Sequence, residues 1–319
     1  MSRADGEKRP FFASKRNVTF TAIGYTFLWG LAFPLVKLCM EGFGISDGNQ
    51  ASKCLAAGLR FTLSGLLTLA LYVTLGKKRL CFQKGKLCVC AVYGLTASTV
   101  QYALTYIGLS FMDGSKGAVY DQMGVFVTVL AAGLLFKSDR LSARKVLGCI
   151  LGLCGIFAAG GDIRSFASVS GGDVFMIGAA LCQTAAYFIA KRFSADIAPE
   201  KLVGFGQFFG GSLLCLLSPF AGGRLEKITP QGVISLAALI LISSAAYTLS
   251  LKPLKYFPAS EIAAFNLLIT VFGVVLSALL LGENIWRLRY AVSLILCGLG
   301  ILFINTSEKR SDRNERQYF

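Results

Sequence analysis

The chain has 319 residues, of which 55% are hydrophobic and only 15% charged, with a mean hydropathy of +0.63. A soluble domain carries roughly 25% charge and cannot hide this much apolar side chain in one core, so a soluble globular protein is excluded. The net charge of +15 sits in short clusters between apolar runs, not on a continuous basic face with interleaved aromatics; this argues against nucleic acid and for anionic lipid headgroups.

A membrane-spanning helix needs about 20 mostly apolar residues. In chain order such windows fall at 18–38, 54–76, 87–110, 114–136, 142–160, 173–191, 202–222, 231–251, 259–281 and 289–307. No charge occurs between Leu202 and Gly223 or between Ile228 and Leu251. The first window has no small-residue cleavage site and runs directly into Lys37 and Glu41, so it reads as a spanning helix and not a cleaved leader. The tails, 1–17 and 308–319, are polar and charged.

Placing both tails in the cytoplasm puts 23 Lys and Arg on the inside and seven on the outside. The inside set includes Lys77, Lys78, Arg79, Lys84 and Lys86 in one short loop. Basic residues concentrate on the cytoplasmic side of membrane proteins, so a multi-pass protein of the cell membrane with both termini inside is expected. That orientation requires an even number of helices, and ten supplies it.

Ten cysteines and no histidine are present. No Cys-x-x-Cys pair occurs, so the thiols read as small apolar packing residues, and neither a metal nor another cofactor is implied. The lack of histidine also removes an imidazole proton relay and a Ser-His triad. A membrane-embedded lipid-modifying enzyme, the alternative reading, would want a cluster of nucleophile, base or metal ligands at interfacial depth. The acidic residues here are isolated. A non-transporting membrane receptor is the other alternative.

The second half repeats the first with an offset of roughly 145 to 154 residues. Trp29 to Lys37 aligns with Gln183 to Lys191, Leu55 to Phe61 with Leu202 to Phe208, Ala118 to Asp121 with Ala263 to Asn266, and Gly155-Ile156 with Gly300-Ile301. The expected units are therefore 18–160 and 173–307. Five helices per half is an odd number, so the halves lie upside down relative to each other. Inverted repeats are a common plan of secondary transporters, with the cargo site near the midplane between them.

These features resemble the EamA-type branch of the drug/metabolite transporter superfamily. The likeness runs from about residue 18 to 307. It rests on Trp29-Gly30 followed by Phe33-Pro34 and Lys37, on Arg60 early in helix 2, on Gly282-Glu283, and on Cys297 to Ile301 in a glycine-rich tenth helix. The resemblance implies ten helices around a central cavity, helices 5 and 10 at the periphery, and export or exchange of small metabolites such as amino acids. At the start of helix 4 the family's usual apolar stretch is replaced by Asp121-Gln122-Met123.

A charge inside a bilayer costs roughly 2.5–3.5 kcal/mol on insertion scales, so each one needs a reason. Asp121 lies about seven residues into helix 4, roughly 10 Å below the outer surface, and Arg60 lies at a similar depth in helix 2. Two readings stand. Either they form a buried ion pair that fixes helices 2 and 4, or Asp121 binds a substrate ammonium or a coupling proton with Arg60 as its exchange partner.

Trp29, Phe33 and Lys37 share one face of helix 1, and Gln183, Tyr187 and Lys191 share one face of helix 6. The lysines are expected to reach headgroups. Gln101, Tyr102 and Tyr106 on helix 3, Tyr247 on helix 8, and Asn266 with Thr270 on helix 9 add polar and aromatic groups. The expected cavity residues are Trp29, Tyr102, Asp121, Tyr187, Tyr247 and Asn266. Gln101, Gln122, Gln183, Gln207 and Asn266 face protein or water, because an unpaired buried amide is expensive. Gly148-x-x-x-Gly152 and Gly206-x-x-x-Gly210 allow close helix packing, within the bundle by default and in a homodimer through helix 5 as the alternative. No P-loop occurs, so a proton or a counter-substrate supplies the energy. The expected function is a secondary transporter of small metabolites such as amino acids or amines.

Overall fold

A chain this apolar can satisfy its backbone away from water only by internal hydrogen bonding, and in the computed structural model every regular element among the described residues is a helix. Those residues are 11–77, 79–80, 85–111, 114–136, 139–160, 170–281 and 288–306. Gly282-Glu283, Lys78, Lys84, Arg164 and the outer parts of both tails lie outside them.

The rods in chain order are α1 (Lys15–Gly42), α2 (Gln50–Thr74), α3 (Lys86–Leu109), α4 (Gly114–Leu135), α5 (Ala143–Gly160), α6 (Gly171–Arg192), α7 (Pro199–Leu217), α8 (Pro230–Leu251), α9 (Ala259–Ala264 continued by Leu267–Leu281) and α10 (Leu288–Thr306). Seven of them are long and apolar enough among the described residues to cross a membrane, and α4 and α10 hold the shorter apolar helices Tyr120–Leu135 and Ala291–Thr306. With α5 these are the ten transmembrane helices of an all-α integral membrane protein.

Helix ends follow caps more than hydropathy. The first helix overruns its apolar window at both ends and stops where Gly44 takes φ 66°, a left-handed turn that favours glycine. Asn49 caps α2 by accepting from the Ser52 amide at 2.9 Å. Thr229 does the same for α8 with the Gly232 amide at 3.2 Å.

The packing obeys a two-fold relation between α1–α5 and α6–α10. The first helix packs on α8 and α9; its repeat partner α6 packs on α3 and α4. The remaining partners, α2 with α7 and α5 with α10, meet each other directly. Each half holds an odd number of crossings, so the repeats are inverted. Glycine makes the closest of these contacts. A Cβ at Gly148 would lie 2.7 Å from the Gly300 carbonyl oxygen, and one at Gly210 would lie 2.4 Å from that of Gly94. Both glycine motifs are therefore spent inside the chain, the first on α10 and the second on α3.

Two rods are interrupted. The third changes to π-helical winding over Leu95–Val100. The ninth breaks at Phe265 and Asn266, where Asn266, Leu268 and Ile269 donate to carbonyls three residues back at 2.9–3.0 Å. Wider winding in one rod and tighter winding in the other re-aim the side chains that follow.

A buried ion pair ties the halves at one end. Lys145 at the start of α5 donates to Asp139 Oδ1 at 2.6 Å, and the two are 1% and 0% exposed. Asp139 Oδ2 accepts from the Ser260 amide at 2.8 Å, and the Ser260 hydroxyl also donates to Asp139. The carboxylate from the α4–α5 turn thereby caps the first segment of α9. Nearby, Lys191 donates to the carbonyls of Leu254 and Phe257, each at 2.7 Å. This corrects the expectation that Lys191 reaches for headgroups: the carbonyls at the end of a short helical turn offer it partners within the protein.

Candidate functional site

Between the halves lies a cavity of about 460 Å³, bounded by α1, α2, α3, α4, α6, α8 and α9. It reaches from Tyr93 and Leu251 toward the ends marked by Val36 on α1, Leu109 on α3 and Met176 on α6. Tyr93 and Leu251 also belong to a buried cluster that includes Val18, Leu202, Leu254 and Ile262.

The six expected cavity residues, Trp29, Tyr102, Asp121, Tyr187, Tyr247 and Asn266, all line this one cavity, and Arg60 lines it with them. So do Phe33, Gln101, Tyr106, Gln122 and Gln183. Thr270 does not line it, although Asn266 four residues earlier does. The tightened turn at Phe265 and Asn266 changes the angular register along α9, so the two no longer share one face.

One wall is a packed aromatic group. The Trp29 and Tyr247 rings meet edge-on with centroids 4.7 Å apart, and Phe61 stands edge-on to Tyr102 at 4.6 Å. Such pairs hold amphipathic rings in fixed poses with their polar edges available. Across from α8, the Asn266 amide donates to the Tyr187 hydroxyl at 2.9 Å. This bond joins α6 to the break in α9.

Arg60 emerges into this wall from α2. Its Nε donates to Ser243 Oγ on α8 at 2.6 Å, and its guanidinium carbon lies 5.6 Å from the Trp29 ring centre and 5.2 Å from that of Phe61. The two charges at similar depth thus share a cavity without an ion pair between them: Arg60 is engaged by a hydroxyl and two aromatic faces. Asp121 is partly buried, and among the described residues no group donates a hydrogen bond to its carboxylate. Beside it, Gln122 is 5% exposed and among the described residues its Oε1 has no donor.

The amides divide between two duties. Gln207 is fully buried away from the cavity and accepts from Ser64 at 2.7 Å, an interhelical bond between α7 and α2. Gln183 lies against Gly124 of α4, where a Cβ would fall 1.7 Å from its Oε1. The residue missed in the sequence is Ser243. Its signal was there in the Ser243-Ser244 pair, two hydroxyls within the charge-free stretch from Ile228 to Leu251.

Comparison with known proteins supplies the family. The model of the EamA-like transporter family matches residues 17–160 and again 170–306. The probable amino-acid metabolite efflux pump of Escherichia coli (strain K12) is 26% identical over 292 residues, covering 86% of this chain and 90% of that one. The protein of the same name from Salmonella typhimurium is 25% identical over 98% of this chain and 99% of its own. The uncharacterized transporter YyaM of Bacillus subtilis (strain 168) is 23% identical over 90% of this chain and 92% of its own. A solved crystal structure with 17% identity superposes with a TM-score of 0.75, covering 93% of this chain and 100% of the other, and shares the fold. Two successive family matches, on a chain of ten helices in two inverted fives, make this protein a multi-pass membrane transporter that belongs to the EamA-like transporter family.

Proposed function

We propose that the protein is a secondary transporter that exports or exchanges small metabolites, such as amino acids or amines, by alternating access of the cavity between its halves. The cell membrane is its site, with both termini in the cytoplasm. The observation that carries this reading is the cavity itself. It is small, walled by aromatic rings, and holds a carboxylate that accepts no hydrogen bond among the described residues beside a buried amide oxygen that has no donor among them. Unmet polar groups at membrane depth are costly, and a site that alternately takes up and releases a polar cargo gives them their partners.

The cargo contacts are Trp29, Tyr102, Asp121, Tyr187, Tyr247 and Asn266. The rings pack on apolar parts of the cargo, the amide and hydroxyls take its polar edge, and Asp121 receives an ammonium group. A proton or a counter-substrate exchanging at Asp121 supplies the driving force. Untargeted metabolite profiling tests the reading, inside and outside cells that do or do not make the protein. A small cationic or zwitterionic metabolite should move from inside to outside in a protein-dependent way. Identical profiles, together with no protein-dependent flux in sealed vesicles, would remove it.

A further inference from the structure

Resting on the transporter reading, the structure adds a second pole to the cavity. We propose that Arg60 is its oxyanion site, taking a carboxylate of the cargo through the guanidinium edge that Ser243 leaves free, while Asp121 takes a cationic group. The cargo is then dipolar, with one negative and one positive group on a small molecule.

Four observations lead there. Arg60 is only 5% exposed, yet it belongs to the cavity wall. Its Nη2 is buried and has no acceptor among the described residues. A guanidinium is a planar fork whose donors keep fixed relative directions, so the 2.6 Å bond from Nε to Ser243 orients the remaining donors. The Trp29 and Phe61 rings flank the same guanidinium, holding it with cation–π contact that uses no acceptor. A structural arginine in this setting would be expected to spend its donors on the protein. This one is oriented and supported, and still has a donor to offer. A carboxylate matches the fork in geometry and in charge.

The charge balance narrows the class further. Arg60 is the one basic residue and Asp121 the one acidic residue among the described residues lining the cavity. A single guanidinium compensates a monovalent carboxylate and leaves a phosphate dianion half-neutralised. A carboxylate-free amine would leave Arg60 unmet, and an amine-free acid would leave Asp121 unmet.

The test uses purified protein in sealed proteoliposomes and matched probes. Labelled L-leucine, L-threonine and L-phenylalanine carry both groups; their amides lack the carboxylate, and 4-methylpentanoate lacks the ammonium. Wild-type protein should move at least one of the amino acids and should bind the corresponding amide roughly 10- to 100-fold more weakly, the loss of one charge-assisted hydrogen bond. In Arg60→Gln, amino-acid flux should fall to background while weak binding of the labelled amide to the purified variant persists, a selective loss that misfolding does not produce. Ser243→Ala, which only unties the fork, should raise KM for the amino acid and leave the amide's competition unchanged. An amide that competes as well as its amino acid in wild type overturns the assignment. So does a profiled cargo with no anionic group, and in both cases the transporter reading stands. Absence of protein-dependent flux for every metabolite overturns both.

Discussion

Two of the charge sites held away from water among the described residues are treated in opposite ways. At the end of the bundle, the Asp139 carboxylate is met by Lys145 and by the amide and hydroxyl of Ser260, and nothing of the pair is left open. In the cavity, Arg60 keeps a buried donor without an acceptor and Asp121 receives no hydrogen bond among the described residues. Desolvating an ion costs several kcal/mol, and a buried pair repays it only when the remaining lone pairs and protons are also used. The first site meets that condition from within the chain. On the transporter reading proposed here, the second defers it to a cargo that comes and goes. Saturation marks a structural charge, and incompleteness marks a working one.

The largest stability effect is expected where saturation is broken. Lys145→Met leaves Asp139 buried without its cation and should destabilise the protein by roughly 3–5 kcal/mol. The sign is loss of monodisperse protein in size-exclusion chromatography. If Lys145→Met is as stable as wild type, the contrast between the two sites fails at its structural pole.

Next comes the contact that carries α3 past α7. A Cβ at Gly94 would lie 2.0 Å from the Gly206 carbonyl oxygen, and backbone cannot rotate away as a side chain can. Gly94→Ala should cost about 1–3 kcal/mol by overpacking, read as a lower melting temperature in detergent. Since Gly94 immediately precedes the π-helical turn leading to Tyr102, flux should also fall.

A smaller effect is expected inside the cavity. Asn266→Ala removes the donor to Tyr187 and should cost about 1 kcal/mol of stability. Its KM for cargo should rise by more than its melting temperature suggests. An unchanged KM would assign the amide to packing alone.

Much of the fold was legible in the sequence, because lipid imposes simple demands: apolar length, basic loops and an odd repeat each leave a pattern that one chain displays. The cavity residues were legible for a related reason. Trp29, Tyr102, Tyr187 and Tyr247 are rings with polar edges at mid-membrane depth, where ordinary packing would use leucine. What could not be read was azimuth. Arg60 and Asp121 lie at similar depth, which suggests a pair, but depth says nothing about the direction each side chain takes around its helix. Arg60 turned to Ser243 instead. The break at Phe265 and Asn266 was equally silent, since neither proline nor glycine marks it, and it decided that Asn266 would line the cavity while Thr270 would not. Nothing in the sequence sets Asp139 and Lys145 apart from other loop charges; their burial against Ser260 follows from how α9 packs.

The most direct measurement pairs stability with flux in one variant, Asp121→Asn. It is nearly isosteric, removes the charge and breaks no hydrogen bond within the described residues. The account predicts a melting temperature equal to or above that of wild type, with coupled transport in proteoliposomes abolished. Transport of wild-type magnitude and unchanged pH dependence in the variant would contradict it.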